Sequence, residues 1–536
     1  SFEQMHIVNN PFFLSILSGG LLSLCWPTYG ITIFAFVAFV PLLKLESHFN
    51  QKRNFKLFFI YTYFAFLIWN LVTTWWLVNA SLFGMLFANL CNSLFFTILF
   101  VIFHWSKKRL PLRSSYILLV SLWLTFEKLH LSWDLSWPWL NLGLVFASKI
   151  YWIQWYEFTG VAGGTLWVWL INIGIYEALK KYGASQQKTM LLKKLVPWAI
   201  AIAIPIAFSL YLYRQVTPST EKINVALLQP NIDPYLEKYD RNNAFFFTGF
   251  EKQVKDKISG QTDYILLPET YFADGNGLEL KKYAQSDLHY SFQSFLADFQ
   301  NTEIISGIQG YDVYRSKESP SLTANRIREG IWADFYNSAI WEHYQSPYDI
   351  YHKSKLVVGV ENFPFKSILK PIIGSIMLDM GGTVASRVTQ KYRTVFPHHS
   401  KPISAAPIIC YESIYGSFVS DYVKAGATFL AVISNDAWWD NTEGHRQLLQ
   451  YTQLRAIETR REIARSANTG ISALINAKGE IMKQLPYGEK GVLTGSIFSR
   501  KEMTFYTKYD DILNRWALFI FGLLSLTAIS GRLKRL

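Results

Sequence analysis

The sequence has few charged residues for its length. Of its 536 residues, 17% are charged, whereas 50% are hydrophobic and 17% are aromatic. A soluble protein usually carries about 25% charged residues. The deficit argues against a protein that lies wholly in water and indicates that part of the chain lies in a membrane. Internal repeats and low-complexity tracts are lacking as well.

Cysteine is also scarce, and this excludes one class of protein. Three cysteines, Cys25, Cys91 and Cys410, cannot form the disulfide framework of a small secreted domain. Cys25 and Cys91 lie in apolar segments, where cysteine usually acts as a small buried hydrophobic residue. Cys410 follows the apolar start of "PIICYES" (407–413), two residues before Glu412. It is either a buried spacer or a nucleophile presented at the end of a strand.

Several common functional motifs are missing from the sequence. It contains no P-loop, no GxGxxG motif in strand context and no GxSxG nucleophile elbow. His343, His352 and His445 are scattered without metal-ligand spacing, and His398 with His399 indicates a loop. We therefore expect neither a metal ion nor an organic cofactor.

The sequence does contain a series of long apolar stretches. We predict transmembrane helices near residues 11–27, 30–44, 56–78, 82–104, 115–130, 160–179, 195–214 and 512–530. Each is close to the roughly 20 residues that cross a bilayer core. The second and fifth are short, so they are either tilted or partly interfacial. Glu127 and Lys128, at the outer end of the fifth, are expected to be interfacial.

Basic residues cluster between the predicted spans. They are Lys44, Lys52, Arg53 and Lys56 after span two, Lys107, Lys108, Arg109 and Arg113 after span four, Lys180, Lys181, Lys188, Lys193 and Lys194 after span six, and Arg532, Lys534 and Arg535 after span eight. Because basic loops stay in the cytoplasm, this pattern predicts both chain ends inside and residues 215–511 outside. It also accounts for much of the net charge of +13 without a nucleic-acid partner.

Residues 215–511 differ from the rest of the chain in their pattern of apolar and polar residues. Short apolar runs typical of buried strands alternate with turn residues, at 223–231, 263–270, 302–310, 335–344, 405–413, 428–436 and 471–479. Amphipathic helical segments lie between several of them, for example at 278–300 and 443–463. The pattern predicts an α/β or α+β domain with helices packed on sheets. The domain prediction is a seven-helix transmembrane bundle at 1–214, this outer domain at 215–511, and a transmembrane helix with a cytoplasmic tail at 512–536.

Three of the predicted strands lead to a reactive side chain. Glu269 follows "ILLP", Lys353 lies in "YHKSKL" before another apolar run, and Cys410 follows "PII". Each residue could instead be structural: Glu269 as a strand cap, Lys353 as a surface lysine and Cys410 as a core cysteine. Together they are complete for acyl transfer, because a carboxylate can take the thiol proton and an ammonium group can stabilise an oxyanion.

The motifs "LLPET", "YHKSKL" and "CYES", in this order, resemble the nitrilase or carbon–nitrogen hydrolase superfamily. This resemblance implies a Glu–Lys–Cys triad on a four-layer αββα sandwich. With the flanking spans, "SWPWLNLG" (136–143), "ALLQPNIDPYLEKYD" (226–240) and the stretch at 434–475, the chain resembles the apolipoprotein N-acyltransferase family. The implied fold is a membrane α-helical bundle of about eight helices joined to an α/β nitrilase-like domain.

The resemblance also implies roles for individual residues. Glu269 would be the general base, Lys353 the catalytic lysine and Cys410 the nucleophile. Glu361 and Glu412 match two glutamates that support the triad. Tyr239, in "EKYD", matches a position where the family has tryptophan. The loop before Glu361 reads "VVGVE" where the family has "VPFGE", so that loop could follow another path.

The implied activity moves an acyl chain from a phospholipid, usually phosphatidylethanolamine, through a cysteine thioester to the N-terminal amine of a diacylglyceryl-cysteine lipoprotein. The implied location is the bacterial inner membrane, with the catalytic domain on the periplasmic side. One alternative is a membrane-tethered nitrilase-like amidase. Another is a transporter or scaffold with an inactive outer domain, although Glu127 and Glu177, at span ends, leave few charges for transport.

Three further features of the outer domain carry weaker expectations. The segment 362–404 is long, apolar and glycine-bearing, and we predict a mobile arm there that gates lipid entry. Asn435, Asp436, Trp438 and Trp439 either line the pocket or form a packed strand-end turn. Four arginines recur on a predicted helix and form either a solvated or sheet-packing face or a head-group site; they are Arg455, Arg460, Arg461 and Arg465.

Overall fold

The computed structural model describes residues 10–531, with gaps at 29, 186, 235–236, 239, 276, 322, 363 and 366–385. It divides into two compact units. The first comprises Ser1–Val78, Met85–Gln215 and Asp511–Leu536, and the second comprises Asn79–Gly84 and Val216–Asp510. Tyr239 and most of the apolar part of the predicted arm lie outside the described residues, so those two predictions stay predictions.

The described residues form fourteen α-helices. In chain order they are α1 Pro11–Cys25, α2 Val40–Lys52, α3 Phe55–Thr74, α4 Leu82–Ser106, α5 Leu112–Leu129, α6 Tyr156–Thr159, α7 Val161–Ser185, α8 Lys188–Gln215, α9 Asn243–Val254, α10 Asp287–Ala297, α11 Gly416–Lys424, α12 Glu443–Thr459, α13 Phe505–Tyr509 and α14 Ile512–Ser530. Helices α9–α13 belong to the second unit. The others belong to the first, apart from the beginning of α4.

Helices occupy seven of the eight positions predicted to span the membrane, whereas the position 30–44 holds a 3-10 helix, Thr32–Phe36, followed by the start of α2 at Val40. Five segments are long and apolar enough to cross a bilayer: Thr32–Lys52, Phe55–Asn79, Leu82–Ser106, Lys188–Gln215 and Ile512–Ser530. Helix α1 is apolar but shorter. Asparagine caps begin two of these helices, because Asn10 accepts from Phe12 N and Asn54 from Leu57 N. The helices support the predicted membrane region, while the number eight stays a prediction.

Glu127 is buried rather than interfacial, contrary to the expectation from its place at a span end. One carboxylate oxygen accepts from the Trp123 indole (3.0 Å) and from Leu142 N (2.7 Å), and the other from the Thr165 hydroxyl (2.7 Å). Thr165 in turn accepts from Gly143 N, and a Cβ at Gly143 would lie 1.9 Å from a backbone oxygen. The carboxylate thus fixes the end of the "SWPWLNLG" motif.

The second unit contains the fourteen described strands. They are β1 Lys222–Gln229, β2 Tyr264–Leu266, β3 Leu278–Glu279, β4 Glu303–Arg315, β5 Asn325–Arg328, β6 Ile331–Glu342, β7 Asp349–His352, β8 Phe396–Pro397, β9 Ser404–Ile409, β10 Phe429–Ser434, β11 Ile463–Ala467, β12 Ser472–Ile475, β13 Ile481–Leu485 and β14 Gly491–Phe498. One sheet has the order β14-β1-β2-β4-β6-β5, with β3 beside β4 and β7 beside β6. The other has the order β13-β12-β11-β10-β9-β8.

The two sheets pack against each other, with β1 and β2 contacting β11 and β6 contacting β9. Helices α9 and α10 cover the outer face of the first sheet through an apolar cluster that includes Phe250, Phe292, Ile265 and Ile304. Helix α11 lies against β9 of the second sheet. This four-layer α/β sandwich confirms the predicted fold class of the outer domain.

The central strands of both sheets are parallel. Strands β1, β2 and β4 run in one direction in the first sheet, and β9, β10 and β11 do so in the second. Every residue of β2 and β10 is buried, as expected for strands covered on both faces. Because parallel strands end at the same edge, the residues that follow β2, β9 and β10 are brought to one end of each sheet.

Candidate active site

Three strand ends supply the predicted triad residues. Glu269 follows β2, Lys353 follows β7, and Cys410 follows β9 as the first residue of the 3-10 turn Cys410–Ile414. All three side chains are buried, with exposed fractions of 7%, 1% and 6%. Together with Glu361 and Glu412 they form one cluster, so the structure brings together every predicted site residue that it describes.

A single ammonium group joins two of the three carboxylates of this cluster. Lys353 Nζ lies 2.8 Å from Glu269 Oε1 and 2.9 Å from Glu361 Oε2. The altered loop before Glu361 does not prevent this contact. Val357 N donates to Glu361 Oε2 at 3.0 Å, and Glu361 N donates back to Val357 O at 2.8 Å, which closes the turn.

Asn337, in the middle of β6, donates hydrogen bonds to both carboxylates that contact Lys353. Its side-chain amide donates to Glu269 Oε1 at 2.7 Å and to Glu361 Oε1 at 2.9 Å. Its backbone oxygen accepts from Lys353 N at 2.8 Å. Asn337 therefore orients both carboxylates and the lysine. Nothing in its sequence setting distinguishes it from other polar residues of a strand, and the sequence analysis missed it.

Burial and charge compete in setting the pKa values of this cluster. Burial lowers the pKa of Lys353, but attraction to Glu269 and Glu361 outweighs burial and raises the pKa above its ordinary value. Burial raises the pKa of Glu361, but Lys353 and Arg387 outweigh burial and lower it. Lys353 and Glu361 are therefore held as an ion pair.

The pKa of the Cys410 thiol is raised, so this group favours its neutral form. Burial raises its pKa most, the Glu269 carboxylate raises it further, and Lys353 lowers it. Asp436 also raises it, while a hydrogen bond with the Ser434 side chain lowers it. The resting thiol is therefore protonated, and it needs a base beside it to become a nucleophile.

Backbone strain occurs at Cys410 and at the residue that follows Glu269. Cys410 has φ of 50° and Thr270, directly after Glu269, has φ of 49°. Residues other than glycine rarely adopt this left-handed region, and such strain is concentrated at functional sites. Gly307 of β4 lies behind the Glu269 turn, where a Cβ would be 2.3 Å from Pro268 O and 2.4 Å from Thr270 N. The turn therefore requires glycine at 307.

Glu412 connects the lysine loop to the cysteine turn. One oxygen accepts from the Tyr351 hydroxyl at 2.7 Å and from Ser354 N at 2.6 Å, and the other from Ile409 N at 2.8 Å. Burial raises its pKa, and these hydrogen bonds oppose the rise. Tyr351 and Ser354 flank Lys353 in the chain, and Ile409 precedes Cys410, so Glu412 ties the lysine loop to the cysteine turn.

The end of β10 forms another wall of the cluster. Asn435 N donates to Glu269 Oε2 at 3.0 Å. The Ser434 hydroxyl donates to Asp436 Oδ1. Asp436 is paired with Arg465 at 2.6 Å. Asn435 and Asp436 therefore lie beside the cluster, and Asp436–Trp439 form a 3-10 turn at the end of β10.

Four arginines lie in α12, in β11 or between them; they are Arg455, Arg460, Arg461 and Arg465. None of them is solvated or available to a head group. All four are buried, with exposed fractions of 7% or less. Arg455 donates to Ile414 O, Arg460 to Ala477 O, and Arg461 to Ala427 O, each within the protein. They satisfy backbone oxygens around the second sheet, so their role is structural.

A second polar cluster lies at the opposite end of β2 and β4. The ligand atoms of Glu303, His398 and His399 lie within 4.8 Å of one another, an arrangement that could hold a metal ion. Glu303 Oε1 accepts from both the backbone N and Nδ1 of His399, at 2.9 and 2.7 Å. The sequence indicated only a loop at His398 and His399, because Glu303 is distant from both histidines along the chain.

Comparison with known proteins defines the class of this site. The carbon-nitrogen hydrolase family model matches residues 224–501, and the chain belongs to that family. The apolipoprotein N-acyltransferase N-terminal domain model matches residues 18–174. An apolipoprotein N-acyltransferase from Chlorobaculum tepidum is 29% identical over 97% of both chains. Another from Geobacter metallireducens is 25% identical over 98% of this chain and 96% of its own.

Proposed function

We propose that the protein is an apolipoprotein N-acyltransferase and that Glu269, Lys353 and Cys410 are its catalytic triad. The observation that carries the residue assignment is the Lys353 ammonium group held between Glu269 and Glu361 beside a buried thiol. Matches to relatives along nearly the whole chain support the transferase activity.

In the first half-reaction, Glu269 takes the proton from Cys410 Sγ, and the thiolate attacks the ester carbonyl carbon of a phospholipid. Lys353 and a backbone N–H stabilise the oxyanion. The ester C–O bond then breaks, and Glu269 returns the proton to the leaving glycerol oxygen. The products are a lysophospholipid and a thioester on Cys410.

In the second half-reaction, the N-terminal amine of a diacylglyceryl-cysteine lipoprotein attacks the thioester. Glu269 takes a proton from the amine and returns it to Cys410 as the C–S bond breaks. An amide forms and the free thiol is restored. Two successive displacements suit a site that must accept two lipids in turn.

The donor and the location follow from the same proposal. A phospholipid donor, with phosphatidylethanolamine as the usual choice, requires access to a bilayer, and the apolar helices of the first unit are consistent with that. The basic segments between those helices support a bacterial inner membrane with the second unit on the periplasmic side.

Mass spectrometry of Cys410 tests the proposal directly. The purified protein is mixed with phosphatidylethanolamine, and the Cys410 peptide should gain the mass of one acyl chain. Adding a synthetic diacylglyceryl-cysteine peptide should remove that mass and yield an N-acyl peptide. Cys410→Ala should give neither product. Hydrolysis of an amide substrate, without formation of an acyl-enzyme from phospholipid, would instead favour the membrane-tethered amidase.

A further inference from the structure

Arg393 lies in the last part of the predicted arm, and the assigned mechanism does not use it. Its guanidinium group donates to the Tyr351 hydroxyl at 3.1 Å, and to Gln390 O and Lys391 O at 3.0 Å each. The guanidinium carbon lies 3.9 Å from the centre of the Phe418 ring in α11. An aromatic face attracts a guanidinium group, so these contacts together hold the side chain in one place.

One hydroxyl group connects Arg393 to the candidate active site. Tyr351 accepts from Arg393 and donates to Glu412 Oε1 at 2.7 Å. Glu412 also accepts from Ser354 N, directly after the proposed catalytic lysine, and from Ile409 N, directly before the proposed nucleophile, at 2.6 and 2.8 Å. A continuous chain of hydrogen bonds therefore runs from the guanidinium group to the backbone beside both of those triad residues.

The link made by Glu412 depends on its charge. The groups that donate to it are neutral, namely a tyrosine hydroxyl and backbone N–H groups. An ionised carboxylate only accepts hydrogen bonds, whereas the protonated form carries an O–H that needs an acceptor of its own. Glu412 is fully buried, and burial raises its pKa. Burial thus favours a form whose O–H would face donors, and this would weaken the link between the lysine loop and the cysteine turn.

We propose that Arg393 is a positioning residue that, through Tyr351, holds Glu412 as the carboxylate that ties the lysine loop to the cysteine turn. The positive charge polarises the tyrosine hydroxyl, which then donates a stronger hydrogen bond to the carboxylate. The inference rests on the proposed function only in treating Lys353 and Cys410 as the groups that must be aligned.

Two cations and two tyrosines interact with Glu412. They are Lys353, Arg393, Tyr351 and Tyr422. Lys353 is already held between two other carboxylates, whereas Arg393 is joined to Glu412 by the tyrosine hydroxyl. A carboxylate that loses a nearby cation holds its proton more tightly. Without the charge at 393, Glu412 therefore takes up a proton at a higher pH, and the alignment of the site is lost as the pH falls.

A purely structural role is the main alternative, because Arg393 also donates to two backbone oxygens of its own segment. Arg393→Gln removes the charge but keeps an amide donor, whereas Arg393→Lys keeps a charge. Tyr351→Phe removes the connecting hydroxyl and leaves the guanidinium group, so it provides a second test if Arg393→Gln fails to fold. Arg326→Met, at an exposed arginine of the same unit, controls for the loss of an arginine elsewhere.

The experiment measures alkylation of Cys410 by iodoacetamide in the purified full-length protein between pH 5.5 and 8.5. Mass spectrometry of the Cys410 peptide separates it from the other two cysteines, and the apparent melting temperature reports the fold. Glu412→Gln should lower the rate by the same factor at every pH, because glutamine does not titrate. Arg393→Gln should match the parent at pH 8.5 and fall about tenfold below it at pH 5.5, to the rate of Glu412→Gln. Tyr351→Phe should follow Arg393→Gln, Arg393→Lys should stay near the parent, and Arg326→Met should match it.

A double variant shows whether Arg393 acts through Glu412. Arg393→Gln combined with Glu412→Gln should have the rate of Glu412→Gln alone at every pH, because the group on which the charge acts is gone.

Three results would overturn the inference. They are a ratio of Arg393→Gln to parent rates that does not change with pH, an equal loss in Arg393→Gln and Arg393→Lys, or a pH-dependent loss that persists in the double variant. The assay contains no lipid, so its result is independent of acyl transfer. Failure of the parent to form an acyl-enzyme would count against the proposed function and leave the role of Arg393 intact.

Discussion

The two ends of strands β2 and β4 both hold buried carboxylates, but their cations differ. At one end, Glu269 and Glu361 contact the Lys353 ammonium group. At the other end, Glu303 contacts the imidazole of His399, and His398 packs against the same ring. Lysine keeps its charge throughout the physiological pH range, whereas the charge of an imidazole changes within it.

This contrast distinguishes a permanent charge arrangement from a titratable one. Lys353 and Glu361 keep opposite charges over a wide pH range, because the pKa of Lys353 is raised and that of Glu361 is lowered. Around Glu303, burial raises the carboxyl pKa and lowers the pKa of His398 to about 4, so both groups are driven toward their neutral forms.

Lys353→Met should abolish measurable acyl transfer, a loss of about a thousandfold or more, because the oxyanion loses its cation. It should also destabilise the protein by about 3–5 kcal/mol, since two buried carboxylates lose their shared partner. Acyl-transfer assays and thermal unfolding in detergent measure these effects. The matched control is Lys401→Met, whose partly exposed ammonium pairs with Asp263 at the opposite end. Similar losses in both variants would contradict the contrast.

Asn337→Asp should reduce acyl transfer about a hundredfold and lower the melting temperature. The substitution is isosteric, but it replaces the donor shared by Glu269 and Glu361 with a third carboxylate, so repulsion replaces two hydrogen bonds. Activity measured from pH 5 to 8 should recover partly at low pH, where a proton can restore one hydrogen bond. A pH-independent loss would argue against this cause.

Glu412→Gln should reduce acyl transfer about tenfold and cost about 1–3 kcal/mol of stability. All three of its closest partners donate hydrogen bonds, so the new amide group would face at least one donor and leave it unsatisfied. The rate should fall because the lysine loop shifts relative to Cys410. The pH profile of Cys410 alkylation should keep its shape. A large shift in that profile would mean that Glu412 acts on the thiol directly.

His398→Asn should leave acyl transfer at pH 7.5 unchanged and alter only the acid side of the stability curve. The His398 pKa is about 4 in the folded protein and about 6.5 when unfolded, so the unfolded chain binds the proton more readily. Stability is therefore lost as the pH falls from about 6.5 through 4, by up to about 1.4 kcal/mol per pH unit.

Asparagine can replace the acceptor that Ser400 N contacts on His398, without titrating. Melting temperatures measured at pH 7, 6 and 5 should therefore fall less steeply in the His398→Asn variant than in the parent. An equally steep fall would show that other groups cause the acid sensitivity.

Parts of the site could be predicted because reactive side chains follow apolar strands in a recognisable order. Glu269 and Cys410 are examples, since "LLPET" and "CYES" are local patterns. Asn337 could not be found in this way, because its role depends on Glu269 and Glu361, which lie 68 and 24 residues away along the chain. The amide of Asn435 was also hidden, since every residue but proline carries a backbone N–H.

The helical unit also shows that helices are readable from the sequence whereas the partners of a polar side chain are not. Its apolar runs were readable as helices because length and composition decide whether a segment can cross a bilayer. Glu127 was misread as interfacial, since its burial depends on Thr165 and on the turn at Leu142, both remote in sequence. A local pattern reports whether a residue is polar but not which partners fold back to satisfy it.

The sequence alone determined the membrane helices, the α/β class of the outer domain and the order of its reactive residues, because each depends on local composition and periodicity. Only the tertiary structure decided that one ammonium group joins two carboxylates, that Glu412 ties the lysine loop to the cysteine turn, and that Asn337 donates to both Glu269 and Glu361. Those facts depend on distances between residues far apart in the chain, and charge interactions change steeply with distance in a buried site.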